Sequence, residues 1–268
     1  MSEQHTCSRF RKQILVDKTY VTGKYPEGKK PIPYRRGFSH RIIVAVLFCL
    51  GGSYVWAGDM ASYVDLGFSP DGKTYMFAQY GVQEKTLRPW ADLFVVDVSK
   101  NAFVSGGRVS FVHDSPVKAG QDGSGALYRI ISRNTALADR YGINYLLLGH
   151  ALYLSLNGAD TGVSGETIEF RDFEPEISYK AQLVPTIEGR GNDLKSSFFI
   201  SLERTYKDRS RMLYTVGTPQ VKRPLISSYR IKKVIAAPQY NSLIFVIEMR
   251  KQGDQGIDIR YMVEAVIL

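Results

Sequence analysis

Cysteine is almost absent from this sequence, which narrows the chemistry that the protein can perform. Cys7 and Cys49 are the only two, and both lie among the first 57 residues. If export removes that stretch, the remaining chain has no thiol, which excludes disulfides, thiolate nucleophiles and cysteine-ligated zinc. Cys49 follows the bulky Phe48 inside an apolar run, which is not the setting of a lipid-acceptor cysteine.

Histidine is nearly as scarce, since His113 and His150 are the only two beyond residue 57. The run His113-Asp114-Ser115 contains the residue types of a hydrolytic triad, but triad members meet through the fold and adjacent side chains cannot adopt that geometry. Two histidines without cysteine do not supply a transition-metal ligand set. Phosphate-binding and dinucleotide-binding glycine motifs are also missing from the sequence. We therefore expect no metal and no cofactor.

Positive charge is abundant, but it is concentrated at the start of the chain. The net charge is +9, and residues 1–57 hold 10 of the 35 Lys and Arg but only 3 of the 26 acidic residues. The rest of the chain is close to neutral. A basic protein often binds nucleic acid, but here the excess charge lies in a segment that export would remove, so we expect no nucleic-acid partner.

The end of that basic segment has the features of a secretion signal. Arg35, Arg36 and Arg41 precede an apolar run at residues 42–50, and Val55 and Ala57 supply small residues before a cleavage site. We predict a leader at residues 1–57, cleavage near Ala57, and a periplasmic or extracellular location. An uncleaved anchor is the alternative, although residues 42–57 fall short of the roughly 20 apolar residues that span a bilayer. After cleavage we expect no stable membrane span.

Residues 58–268 read as a single mainly-β domain. The stretch at residues 66–101 has a Ser-Pro-Asp-Gly turn followed by two apolar segments, and it predicts adjacent antiparallel strands. We expect Tyr75, Phe77, Leu93 and Val95 to be buried there. Alternating apolar residues predict further strands, at residues 108–113, 152–156, 167–170, 177–187, 196–206, 211–216 and 259–266.

One segment, residues 126–141, has helical periodicity and predicts an amphipathic helix. The remainder predicts antiparallel sheets, arranged either as a propeller-like fold or as a sandwich. Pro238 precedes Phe245 by the same interval as Pro70 precedes Phe77, which suggests two copies of one unit. Chance similarity explains the same spacing, and both interpretations stay open.

The order Phe68, SPDGK, Tyr75, Phe77, DLFVVDV and Asn101 resembles a WD40-like blade of periplasmic translocation-associated proteins, over residues 68–101. Together with the leader and the C-terminal segments FVIEMR and IRYMVEAVI, the chain from about Gly58 also resembles a bacterial family of predicted secreted proteins of unknown function. The resemblance implies a β-rich exported protein. It supplies no catalytic residues.

Two stretches of the sequence contain candidate groups for catalysis or calcium binding. Asp65, Asp71, Asp92 and Asp97 cluster along one stretch, but turn and strand-end roles account for them individually. Residues 157–166 are rich in oxygen ligands but lack the acidic pattern of a helix–loop–helix calcium site. We expect a non-catalytic exported module that binds a protein or an envelope or glycan component. The alternative is a secreted glycan hydrolase with a carboxylate pair, which is defined by separation in space.

The predicted binding site is the connection at residues 83–90. Arg and Trp are enriched at binding hot spots, and Arg88 and Trp90 flank a proline that limits their freedom. Long connections on rigid sheets often carry binding groups. The competing interpretation is that Trp90 folds back over the core, as large aromatic residues often do.

Overall fold

Antiparallel strands dominate the computed structural model, which describes residues 58–156, 165–174, 176–239, 241–253 and 256–268. The predicted leader at residues 1–57 and most of the oxygen-rich segment at residues 157–166 lie outside the described residues. The mainly-β prediction is confirmed, since the described strands form three antiparallel sheets.

The first sheet is a meander in which each strand pairs with the next along the chain. Its turn after Phe68 is the predicted one, because the Gly72 N–H donates to the Ser69 carbonyl at 2.9 Å and Gly72 has a φ of 67°. The predicted burial is confirmed, since four side chains are fully buried, Tyr75, Phe77, Leu93 and Val95. The strands are β1 (Ser62–Phe68), β2 (Thr74–Val82), β3 (Pro89–Asp97) and β4 (Ala102–Val112).

Two short helices cover the outer face of the first sheet, namely α1 (Ser124–Arg133) and α2 (Thr135–Arg140). The sequence predicted one helix over residues 126–141, but the chain breaks at Asn134, which has a φ of −122° and donates from its side chain to the Ile130 carbonyl at 2.7 Å. Such local side-chain bonds compete with helix continuation. Neither helix, nor any other among the described residues, has the length and apolar character to cross a bilayer.

The second and third sheets are formed by strands that follow the two helices. The strands of the second are β6 (Thr167–Asp172), β7 (Ile177–Glu188), β8 (Lys195–Thr205), β9 (Arg211–Val216) and β10 (Arg223–Pro224). Their order is β10-β8-β7-β6, with β9 also paired to β8. The strands of the third are β5 (His150–Leu154), β11 (Ile226–Ala236), β12 (Ser242–Gly253) and β13 (Gly256–Ile267), and their order is β13-β12-β11-β5.

The third sheet lies between the other two and is buried on both faces. Along β12, Phe245 and Ile247 pack with the second sheet, whereas Ile244 and Val246 pack with the first. All four side chains are fully buried. A strand buried on both faces needs an unbroken apolar run, because every residue faces a core. This requirement explains the apolar run LIFVI at residues 243–247.

The turns that precede β2 and β12 have the same closing hydrogen bond. Ser69 N–H donates to the Thr74 carbonyl and Ala237 N–H donates to the Ser242 carbonyl, both at 3.0 Å. The two turns also touch, since the Gln239 side-chain amide donates to the Pro70 carbonyl at 2.8 Å. The spacing noted in the sequence therefore has an equivalent in the local hydrogen bonding of these turns.

The outer edge of β13 is satisfied by groups from the first sheet and the segment before it. The Ile259 N–H donates to the Asp59 carbonyl at 2.9 Å, and the Tyr261 N–H donates to Oε1 of Gln79 at 2.8 Å. The Ala265 N–H donates to Oδ1 of Asn101 at 2.7 Å. Unpaired edges invite pairing with other chains, so these bonds close the third sheet on this side.

Candidate functional site

Three connections meet at one end of the first sheet, and we call this region the loop end. They are residues 58–61 before β1, residues 83–88 between β2 and β3, and residues 113–123 between β4 and α1. Two cavities of about 660 and 540 Å³ open between them, and both are lined by Gln121 and Asp122. The loop end therefore offers two adjoining concave surfaces.

Arg88 joins two of these connections. Its Nε donates to the His113 carbonyl at 2.7 Å, and its terminal nitrogen lies 3.5 Å from Oδ1 of Asp114. The Arg88 side chain remains 37% exposed. It is therefore held in place by one connection while part of the guanidinium stays accessible to a ligand.

In the same connection, Leu87 adopts a strained backbone conformation. Its φ is 52°, which is uncommon for a residue other than glycine, and its N–H donates to the Gln83 carbonyl at 2.8 Å. The Leu87 carbonyl accepts from the Val117 N–H at 2.8 Å. The side chain is 52% exposed and lines the smaller cavity. Strain of this kind clusters at ligand-binding positions, where the surrounding bonds maintain it.

Trp90 lies beneath the loop end and not within it. The sequence placed Pro89 and Trp90 in the connection, but both belong to β3, because Trp90 pairs with Gly81 on β2 and with Val112 on β4. The indole is only 5% exposed, and Nε1 is buried without a hydrogen-bond partner among the described residues. The Trp90 ring is therefore almost completely covered, whereas the Arg88 side chain is partly exposed.

The contacts that hold Trp90 involve residues that the sequence did not single out. The Arg260 guanidinium lies 4.3 Å from the Trp90 ring centroid, a cation–π arrangement, and is 3.3 Å from Oδ2 of Asp59. Asp59 Oδ1 also accepts from the Glu84 N–H at 2.6 Å. The contacts of Asp59 and Arg260 therefore link three parts of the chain, namely residues 58–61, residues 83–88 and β13.

The carboxylates considered for catalysis make local structural contacts. Asp71 accepts from Oγ of Ser69 at 2.6 Å, and Asp92 accepts from Nε2 of Gln79 at 3.1 Å. The hydrogen bond from Ser99, followed by those from Lys100, lowers the pKa of Asp97 to about 2. These contacts keep the carboxyl groups within turns and strand pairs.

Burial raises the pKa of Asp65, the remaining carboxyl of that cluster, and of Glu264. Asp65 Oδ2 lies 3.5 Å from the Lys233 ammonium, which opposes that rise, and Glu264 Oε1 lies 3.3 Å from the Arg223 guanidinium. Asn101 also donates to Glu264. A general acid needs a raised pKa and access to substrate. Neither residue lines the cavities of the loop end.

A third cavity, of about 570 Å³, lies on the outer face of the second sheet and contains two glutamates. Glu169 is paired with Lys180 at 3.3 Å and Glu203 with Arg211 at 3.2 Å. Each carboxylate is therefore already neutralised by its neighbour, which does not support a hydrolytic acid–base pair.

In the run His113-Asp114-Ser115 noted in the sequence, the histidine side chain also makes local contacts. Nδ1 of His113 accepts from the Ser115 main-chain N–H at 3.0 Å, so these residues meet through the backbone and not as a triad. Within the described ranges, no group of three or more His, Cys, Asp or Glu residues is arranged to hold a metal ion.

Glu264 allows a pH test of this electrostatic description. Burial raises its folded pKa above the ordinary 4.5, so the folded state binds the proton more tightly than the unfolded state. That stabilising contribution is complete below pH 4.5 and is lost as the pH rises through the folded pKa. We expect the free energy of unfolding of the native protein, relative to Glu264→Gln, to fall as the pH is raised from 4.5.

Urea unfolding at a series of pH values measures this difference. Asp97→Asn is a control of opposite sign, because the lowered pKa of Asp97 gives stability that is present above pH 3.8 and lost as the pH falls toward about 2. If the difference between the native protein and Glu264→Gln did not change with pH, the proposed burial of that carboxyl would be wrong.

Comparison with known proteins gives a family but no characterised relative. The family model described as "Predicted secreted protein (DUF2259)" matches residues 76–266, which is more than half of the chain, and the chain therefore belongs to this family. No curated protein and no solved structure matches the sequence. The matched residues include Arg88, Trp90 and Arg260.

Proposed function

We propose that this secreted protein is a non-catalytic module that binds a protein or an envelope component, such as a glycan, through its loop end. The proposal rests on the two adjoining cavities of the loop end. The connections that form these cavities are held in place by the first sheet and by β13, through the contact of Arg260 with Asp59. Loops on a rigid sheet are common sites of binding, because the scaffold reduces the entropy lost when a ligand is held.

Within the loop end, Arg88 and Leu87 are the proposed contact residues. Arginine is enriched at binding hot spots, and the Arg88 guanidinium is 37% exposed while its Nε is bonded. Leu87 adds an exposed apolar side chain that lines the smaller cavity. Trp90 supports these residues from below, since its ring packs with Gly81 and Arg260.

The proposal includes export with cleavage near Ala57, leaving residues 58–268 as one domain in the periplasm or outside the cell. Two observations support this boundary. A side chain at Gly58 would come within 2.3 Å of the Ile257 carbonyl oxygen, and Asp59 already bonds to Asp258 and to Arg260. Close packing is therefore present immediately after the predicted cleavage point. The meander order of β1 to β4 likewise supports the likeness to a WD40-like blade, which is part of the proposal.

Capture experiments with an Arg88 variant test the proposed site. The tagged full chain is recovered after export and used to isolate binding partners from the cell envelope of its own host. We expect Arg88→Ala to lose most of the captured component, because it removes both the exposed guanidinium and the bond that holds the two connections together.

Arg190→Ala is the matched control, since Arg190 is an exposed arginine beyond the end of β7, outside the loop end. This variant should capture the same component as the native protein. Equal capture by Arg88→Ala and the native protein would contradict the proposed site, and equal loss in both variants would indicate a nonspecific charge effect.

A further inference from the structure

Two arginine side chains of α1 pack over the ring of Phe111 on β4. The guanidinium carbons of Arg129 and Arg133 lie 5.7 and 5.3 Å from the ring centroid. Both arginines are exposed, and they are four residues apart, so they lie on the same side of the helix. One aromatic ring therefore brings two positive charges together at the surface.

The two charges have no acidic partner among the residues that the structure describes. Neither side chain makes a salt bridge or donates a hydrogen bond there, and the ring contacts are their interactions. Like charges at this spacing destabilise a helix, so the pair opposes helix stability. A cation–π contact leaves the N–H donors of a guanidinium available, because it uses the charge and not those donors.

The position of the pair is fixed by the sheet and the helix. Phe111 pairs with Ala91 in the ladder between β3 and β4, and it packs against the core under α1. The adjacent face of α1 is buried through Ala126, Leu127 and Ile130. The two guanidinium groups are therefore presented by rigid elements, which lowers the entropy cost of binding an anion.

From this geometry we infer that Arg129 and Arg133 form a binding site for the phosphate groups of an anionic envelope glycan. A phosphate monoester presents three terminal oxygens and about two negative charges, whereas a carboxylate presents two oxygens and one charge, so the phosphate is the better match for two guanidinium groups. A membrane surface is disfavoured because a helix that lies on lipid exposes an apolar face, whereas Ala126, Leu127 and Ile130 of α1 are buried and Tyr128 is its one large apolar side chain that is strongly exposed. The site is separate from the loop end and goes beyond the function proposed above.

Binding to a defined polymer tests this inference on the full chain recovered after export. The probes are phosphorylated dextran, carboxymethyl dextran of equal charge density, unmodified dextran, and vesicles that contain phosphatidylglycerol. We expect the native protein to bind phosphorylated dextran, with an affinity that falls as salt is added. Arg129→Gln and Arg133→Gln should each weaken this binding about tenfold, as expected for loss of a charge-assisted hydrogen bond.

Arg140→Gln is the matched control, because Arg140 is an exposed arginine on the next helix without an aromatic ring beneath it. It should bind like the native protein. The melting temperature of the two test variants should stay the same or rise, since each removes a like-charge contact. Envelope capture tests the loop-end proposal and polymer binding tests this inference, so the failure of either one leaves the other result unaffected.

Several outcomes would overturn the inference. These are unchanged binding in the Arg129→Gln/Arg133→Gln double variant, an equal loss in Arg140→Gln, or equal affinity for carboxymethyl dextran. Stronger binding to the lipid vesicles than to phosphorylated dextran would assign the arginine pair to a membrane surface and would also contradict it.

Discussion

Replacing Phe77 by alanine is expected to lower the free energy of unfolding by about 3 to 5 kcal/mol, the usual cost of emptying a core aromatic site. Phe77 is fully buried between the first and third sheets. Its ring centroid lies 4.8 Å from that of Phe94 and 5.6 Å from that of Tyr63. Because strands are hydrogen-bonded on both sides of β2, the surrounding backbone cannot collapse into the space that the ring leaves.

Urea unfolding monitored by circular dichroism measures this loss. Phe173→Ala is the matched control, since Phe173 is 78% exposed and its removal should change stability little. If Phe77→Ala unfolded at the same urea concentration as the native protein, the pairing register of β2 would be wrong.

Replacing Trp90 by alanine is expected to have a similar effect, a loss of about 3 to 5 kcal/mol. The indole is 5% exposed, and the Arg260 guanidinium rests on its ring. The variant would leave Arg260 beside an emptied site and would remove the support beneath the loop end. If Trp90 bound the partner directly, the melting temperature would instead stay nearly unchanged while capture of the envelope component was lost.

Circular dichroism is again the appropriate measurement, because Trp90 is the only tryptophan beyond residue 57 and its fluorescence disappears in the variant. Tyr128→Ala serves as the control, since that aromatic side chain is 69% exposed. A stable Trp90→Ala protein that no longer captures its partner would contradict the supporting role and favour direct contact.

The hairpin of β2 and β3 could be predicted from sequence because its signals are local. Tyr75 and Phe77 alternate with neighbours on the opposite face, and Pro70 and Gly72 occupy turn positions that suit their backbone preferences. The pattern does not depend on distant parts of the chain. The start of β3 is not predicted, since this strand begins at Pro89, within the expected connection.

The strand β11 was missed because its pairing is irregular. The register shifts between Ile226 and Ser228 and again between Ile231 and Lys233. As a result, Ile231 and Val234 face the same core although they are three residues apart. A strand with such bulges loses the alternation by which strands are recognised, so its sequence predicts no clear element.

The candidate site was also predicted only in part, and for a related reason. Arg88 and Trp90 lie close together in the sequence, so their residue types could be noticed together. The contact between Asp59 and Arg260 joins residues separated by 201 positions. Composition and spacing contain no signal for a pair so far apart, and a single aspartate or arginine at either position looks like an ordinary surface residue.

The hydrogen bonds at the outer edge of β13 limit when this protein can complete its folding. Gln79 and Asn101 bond to its outer edge across sequence separations of 182 and 164 residues. In a chain exported from its N-terminus, β13 crosses the membrane after Gln79 and Asn101, so these contacts cannot form until β13 has crossed. Such long-range pairing is slow, so closure of the third sheet would follow the local pairing of β1 to β4.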